Sequence, residues 1–259
     1  MHGRGRRVRE LGVAHVSCLA RQAKELVAEA EENNSNIKVR NETWRRWYAC
    51  GLCEQDYHGV VMCALGWACW KTYVGRPETD KLRRAAMGVL GSGFSAAENY
   101  EDALTVREAE LATMRRFGAS ERNILAVQGS LAITYAKLGH LEKALSLHRE
   151  VYARSELVSP GAANKFLGAL NLAGSLSSTG RFEEAKSLLR KVLPEALRTL
   201  GPDHDTTLVI RRALVRNVGA DPESSLAELR QAEADSAMYA EERVASWGRR
   251  IQSQLPARY

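Results

Sequence analysis

The chain has 259 residues, of which 45% are hydrophobic and 26% charged, and carries a formal net charge of +6 at pH 7. This balance excludes a disordered tail and suits one elongated array or about two globular domains. No apolar run approaches the ~20 residues that span a bilayer, and five cysteines, mostly close together, fit a reducing compartment better than a disulfide frame, so a cytoplasmic location is expected.

At the amino end, Arg4, Arg6, Arg7 and Arg9 precede the apolar stretch Leu11–Ala20, but Glu10, His15 and Ser17 interrupt the pattern that a leader needs. Val8, Leu11, Val16, Leu19, Leu26 and Val27 fall at helical spacing, which predicts one amphipathic helix over 8–31. The run Asn33-Asn34-Ser35-Asn36 reads as a linker, and 1–36 forms the first segment. Basic residues before position 47 are interleaved with Glu25, Glu29, Glu31, Glu32 and Glu42. Mixed charge of this kind is a solvated surface and does not point to nucleic acid.

Residues 37–78 form a second segment, rich in Cys and aromatic residues. Trp44, Trp47, Tyr48, Tyr57, Trp67, Trp70 and Tyr73 crowd together with Cys50, Cys53, Cys63 and Cys69. The tryptophans recur at helical i,i+3 spacing, which points to a packed capping element more than to rings left open for base stacking. Cys50, Cys53, His58 and Cys63 have the spacing of a zinc knuckle, in which a Cys-x2-Cys turn offers two thiolates and a loop returns His and Cys to close a tetrahedron. Tyr57 replaces the glycine usual before the His, and the apolar run Val60–Tyr73 continues past the last Cys. Two readings stay open: a zinc site, or free thiols beside buried cysteines. Zinc is the one cofactor that the spacing admits; otherwise none is expected. Val74-Gly75-Arg76-Pro77-Glu78 then breaks the helix.

From residue 79 to 220 the chain repeats itself. Tyr100-Glu101-Asp102-Ala103-Leu104, Leu141-Glu142-Lys143-Ala144-Leu145 and Phe182-Glu183-Glu184-Ala185-Lys186 share one pattern, each 41 residues after the last. Before each lies a second matching stretch: Leu90-Gly91 with Phe94, Leu131-Ala132 with Tyr135, and Leu172-Ala173 with Leu176. A large residue, a small one and another large one three further on let two helices approach closely, with Ala103, Ala144 and Ala185 at the crossings. Gly139-His140 and Gly180-Arg181 separate the helices of a pair, glycine ending the first in the left-handed conformation. The fold class is therefore all-α, a stack of antiparallel helix pairs.

These residues resemble the tetratricopeptide repeat, which carries Leu-Gly/Ala…Tyr in its first helix and Ala in its second. The common repeat has about 34 residues, and the extra residues fall after the second helix. There, Thr199-Leu200-Gly201-Pro202-Asp203-His204-Asp205-Thr206-Thr207-Leu208 resembles the longer repeats of kinesin light chains, with Asp205 where that family has Pro. The resemblance covers residues 83–218 and implies a right-handed superhelical α-solenoid. It also implies a groove lined by the first helices, which carries over to Lys137, to Leu170, Asn171 and Gly174, and to Arg211 and Arg212. Asn at the position of Asn171 often bonds a peptide backbone or carboxylate in that family, and the Lys and Arg beside it favour acidic peptides. Gly88, Ser92, Gly129, Gly174 and Ser177 suggest open floor space along the same face.

The last unit is degenerate: Ala213 and Leu226 stand where Leu172 and Ala185 lead one to expect Leu and Ala. Asp221-Pro222-Glu223 reads as a helix start, and 221–259 as a C-terminal capping helix. No Gly-rich phosphate loop, nucleophile motif or carboxylate pair appears, and His140, His148 and His204 fall in turns or on repeat helices. The expected function is a non-catalytic scaffold or adaptor that binds protein or peptide partners through acidic segments; a kinesin heavy chain is a partner by resemblance alone, since residues 8–31 carry no sustained heptad. The alternative is a zinc-binding regulatory or nucleic-acid-binding protein using Cys50, Cys53, His58 and Cys63.

Overall fold

The computed structural model describes residues 15–158, 163–232 and 234. These are almost wholly helical, and among them no strand forms beyond a single antiparallel bridge, Ala49 to Asp56. The chain divides into two compact units, Met1–Thr113 and Met114–Tyr259.

In the first unit, α1 (Val16–Glu32) is followed by α2 (Ile37–Trp44) and a single 3-10 turn, Arg45–Trp47. Residues 8–14 of the expected amphipathic helix lie outside the described residues. The Asn36 side chain accepts from the Val39 N–H and so caps α2, which is why the asparagine run ends in a helix start. After a hairpin loop come α3 (Gly59–Tyr73), α4 (Lys81–Ala96) and α5 (Tyr100–Arg116). Asp80 caps α4 by accepting from the Leu82 and Arg83 N–H groups. Arg76, in the break between α3 and α4, holds Glu31 at the end of α1 through two bonds of 2.7 and 2.9 Å and lies over the Tyr73 ring.

The aromatic residues of the second segment are the core of this unit. Trp47 is fully buried among Ala23, Val27, Met62, Cys69 and Tyr73. Its ring meets Tyr73 edge-on at 6.0 Å, and Trp44 meets Tyr73 at 5.5 Å. Trp67 is the most open of the four, and it packs edge-on against Phe94 with the Lys71 ammonium over it. Helices α3 and α4 touch backbone to backbone through two glycines. A Cβ on Gly93 would lie 2.9 Å from the Met62 carbonyl oxygen, and one on Gly66 would lie 3.0 Å from that of Val89.

The second unit holds α6 (Glu121–Lys137), α7 (Leu141–Val158), α8 (Ala163–Ser178), α9 (Phe182–Leu200) and α10 (Asp205–Ala220). Each helix packs on the next, and α8 also lies against both α6 and α10. The repeat positions do as the pattern predicts: Ala103, Ala144 and Ala185 are wholly buried, and Leu131, Ala132, Leu172 and Ala173 are core. Gly139 and Gly180 close α6 and α8 at φ 79° and 74°. The matching position of the first pair is Glu98, which adopts φ 60° without a glycine.

The last helix start differs from the expected one. Residues 226–232 are helical, and the cap is Ser225, not Asp221. Ser225 Oγ accepts the Glu228 N–H, and the Glu228 carboxylate accepts the Ser225 N–H in return, a capping box. Asp221 instead meets the buried Lys186 of α9, whose ammonium also bonds Glu183 and Ser224. Residues 235–259 of the expected cap lie outside the described residues.

Candidate functional site

The helices α6, α8 and α10 are the first members of successive pairs, and their outward residues recur in step. Ala126, Ser130, Ile133 and Lys137 follow one another along α6 at intervals of three and four. Leu167, Asn171, Gly174 and Ser178 occupy the matching positions of α8, and Val209 and Arg212 stand on α10. Such spacing keeps residues on one helix face. Ile133, Leu167 and Val209 are large apolar side chains left exposed at 45%, 56% and 42%. Each of the three first helices therefore leaves one large apolar side chain exposed, though not at matching repeat positions.

The residues carried over from the repeat resemblance are not equivalent in this setting. Lys137 is exposed at the end of α6, Gly174 is exposed on α8, and Arg212 is exposed on α10. Asn171 is half-buried, and its amide makes no side-chain hydrogen bond among the described residues. Arg211 is half-buried beside it in sequence register, and Leu170 turns inward to pack on the core of Leu145, Phe166 and Leu189. A Cβ added at Gly174 would meet nothing within 4 Å, so the space before it is open. Not every small residue does the same. A Cβ at Gly88 would come within 2.9 Å of the Glu110 carboxylate, and Ser177 bonds Asn217 of α10. Those two serve helix packing, a role that the sequence does not distinguish from open floor.

Under this surface lies a second polar layer. His148 of α7 and Ser175 of α8 are buried with Nδ1 and Oγ 2.7 Å apart. Burial holds the imidazole below its usual range. A neutral His paired with a hydroxyl ties the two helices together, and neither group is presented at the surface.

The cysteine motif is placed as follows. Cys50 and Cys53 share the hairpin loop, and the Cys50 Sγ accepts the Leu52 N–H at 3.4 Å. His58 sits at the cap position before α3, with its ring exposed, and Cys63 lies a turn into α3, packed toward Leu90 and Phe94. Among the described residues no three His, Cys, Asp or Glu side chains gather as a metal ion requires. Spacing in sequence brings two of the four together, and the helix that starts at Gly59 carries the fourth into the core. The amide of Cys53, then that of Leu52 and the Cys53 thiol, hold the Cys50 thiol below its ordinary value, with the Arg46 cation adding to them. Burial pushes the Cys69 thiol well up.

The model of the tetratricopeptide repeat matches residues 124–159 and 169–205, which hold the pairs α6–α7 and α8–α9. No curated protein matches the chain. Among solved structures, one is a protein of Podosopora anserina named as a kinesin light chain with nearly identical TPR-like repeats. It is 18% identical with a TM-score of 0.58, the match covering 90% of this chain and 99% of that one. A variant of that protein is 19% identical with the same TM-score, over 91% and 99%. BtubC (BKLC) of P. vanneervenii is 13% identical with a TM-score of 0.62, over 95% and 96%.

Proposed function

We propose that the chain, which matches the tetratricopeptide-repeat model over residues 124–159 and 169–205, is a non-catalytic scaffold or adaptor that holds peptide segments on the outward face of α6, α8 and α10. The observation that carries this reading is that α6, α8 and α10 each leave a large apolar side chain exposed (Ile133, Leu167 and Val209), together with the open space before Gly174 and the unspent amide of Asn171. An extended peptide needs those three things together: apolar seats for its side chains, room for its backbone, and an amide that both donates and accepts along it.

The cations Lys137, Arg211 and Arg212 on the same helices set the preference. They favour a peptide carrying Asp, Glu or a terminal carboxylate, because charge-assisted bonds are stronger than neutral ones and arginine grips a carboxylate with two parallel donors. Rim charges act mostly on the rate of encounter, so binding should weaken as salt rises. No helix among the described residues is long and apolar enough to cross a membrane, and a cytoplasmic partner is the reading in keeping with the free thiols. The neighbours named as kinesin light chains make a kinesin heavy chain one partner to try, and the scaffold reading does not depend on it.

Affinity capture from cell extract with the wild-type chain and with Asn171→Ala/Arg212→Glu tests the proposal. The double variant loses the captured partners while Cys50→Ser keeps them. If Asn171→Ala/Arg212→Glu keeps every partner and Cys50→Ser loses them, the hairpin carries the function and the helix face does not.

A further inference from the structure

The hairpin between the 3-10 turn and α3 is built to hold two sulfurs in one polar loop. Its ends are closed by the Ala49–Asp56 bridge and by the Tyr57 N–H donating to the Tyr48 carbonyl at 2.7 Å. Inside, the Cys50 N–H donates to the Gln55 carbonyl at 2.8 Å, and the Glu54 N–H donates to the Cys50 carbonyl at 3.1 Å. Glu54 takes φ 59° to turn the chain. The result is a tight turn that holds Cys50 and Cys53 three residues apart in one loop, with the Leu52 N–H donating to the Cys50 Sγ at 3.4 Å.

Two side chains complete the loop. The Arg46 guanidinium lies against Gly51, where a Cβ would come within 3.1 Å of its Nη1. Tyr57, half-buried, stands at the far end of the hairpin. Cys53 is exposed and Cys50 half-buried, so a small molecule reaches the first directly and the second along the loop. The other three cysteines lack this setting. Cys18 stands alone on α1, Cys63 packs beside Phe94, and Cys69 is wholly buried.

We propose that Cys50 and Cys53 form a thiol–disulfide exchange site that reacts with low-molecular-weight disulfides. The Cys50 thiolate, with its proton released to water, attacks one sulfur of the small disulfide; the S–S bond breaks and one small thiolate leaves. Cys53 then loses its proton and attacks the Cys50 sulfur of the mixed disulfide, expelling the second small thiolate and closing a Cys50–Cys53 bond. The two released protons end on the two small thiolates, so the cysteine pair is oxidised and the small disulfide is reduced. An amide donor and a nearby cation stabilise an attacking thiolate, and a second cysteine in the same tight turn resolves the intermediate before it escapes. This site is separate from the helix face proposed to bind peptides, and either can fail without the other.

The test uses the full reduced chain and oxidised glutathione, read by intact mass and peptide mapping. The expected result is a Cys50–Cys53 disulfide, with the mass falling by two hydrogens, before any adduct appears at Cys18. Cys53→Ser traps a glutathione adduct at Cys50, and Arg46→Gln slows that trapping several-fold while circular dichroism stays unchanged. The proposal is overturned if adducts gather at Cys18 or Cys53 first, or if Cys53→Ser labels Cys18 and Cys50 equally. It is also overturned if the chain is isolated with stoichiometric zinc that shields both thiols until a chelator is added, since the loop is then a metal site.

Discussion

Substituting Gly93 by Ala is the sharpest test of how α3 and α4 are joined. The new Cβ would stand 2.9 Å from the Met62 carbonyl oxygen and 3.1 Å from the Cys63 Cα. Both obstacles are backbone, so no side chain can swing aside, and the helices must part by about half an ångström. Overpacking of this kind costs about 1–3 kcal/mol. Against that, Ala improves on Gly in a helix by about 1 kcal/mol, which leaves a net loss of up to about 2 kcal/mol. Gly174→Ala, in α8 with nothing within 4 Å of its new methyl group, keeps the helix gain alone and stabilises by about 0.5–1 kcal/mol. Urea unfolding separates the two. Trp44, Trp47, Trp67 and Trp70 all lie in the first unit, so their fluorescence follows the unit that holds Gly93. With a slope of about 2 kcal/mol/M, Gly93→Ala lowers the fluorescence midpoint by up to about 1 M, and Gly174→Ala raises the far-ultraviolet dichroism midpoint slightly. Equal, stabilising shifts for both substitutions would refute the close backbone contact.

Burial raises the Glu110 carboxyl from 4.5 to about 7, partly opposed by Arg107. The folded chain therefore binds a proton that the unfolded chain releases, so stability falls as pH rises from about 4.5 to about 7, by about 3 kcal/mol. Glu110→Gln should flatten that fall in urea titrations across this range. Lys186 holds Asp221 below the usual carboxylate range; that stabilisation is present above the ordinary Asp value and is lost as pH drops through the depressed one. Asp221→Asn should lower the melting temperature more than Glu183→Gln does, and adding Lys186→Met should recover part of the loss. Glu98→Gly relieves a left-handed residue and should stabilise by up to about 1 kcal/mol, whereas Gly139→Glu should destabilise, both read by thermal unfolding.

The 41-residue step was enough to place the buried alanines, which the chain writes out three times, and the glycines that close α6 and α8, which it writes out twice. It did not reveal Glu98 in the left-handed position, since the turn is fixed by the packed helices on either side and not by its own residue. The Gly66 and Gly93 contact is also invisible in sequence: α3 lies outside the repeat, and only folding shows which face of it α4 meets. Asp221 looked like a helix cap because it precedes a proline. The cap passed to Ser225 because Glu228 lies three residues on, and the buried Lys186 needs the aspartate. For the candidate site, the apolar positions Ile133, Leu167 and Val209 could have been found by following the outward face of each first helix. The separation of His58 and Cys63 from the two loop cysteines could not, because spacing alone does not say that a helix starts at Gly59.

Peptide binding on α6, α8 and α10 is tested most directly by filling the space before Gly174. Gly174 is exposed and a Cβ there meets nothing within 4 Å, so a Trp side chain can leave the helix into the open face and the fold should keep its melting temperature. An acidic peptide from a captured partner, titrated by fluorescence anisotropy, should lose at least about tenfold in affinity, about 1.4 kcal/mol. Unchanged affinity in the folded Gly174→Trp chain would contradict binding on this face.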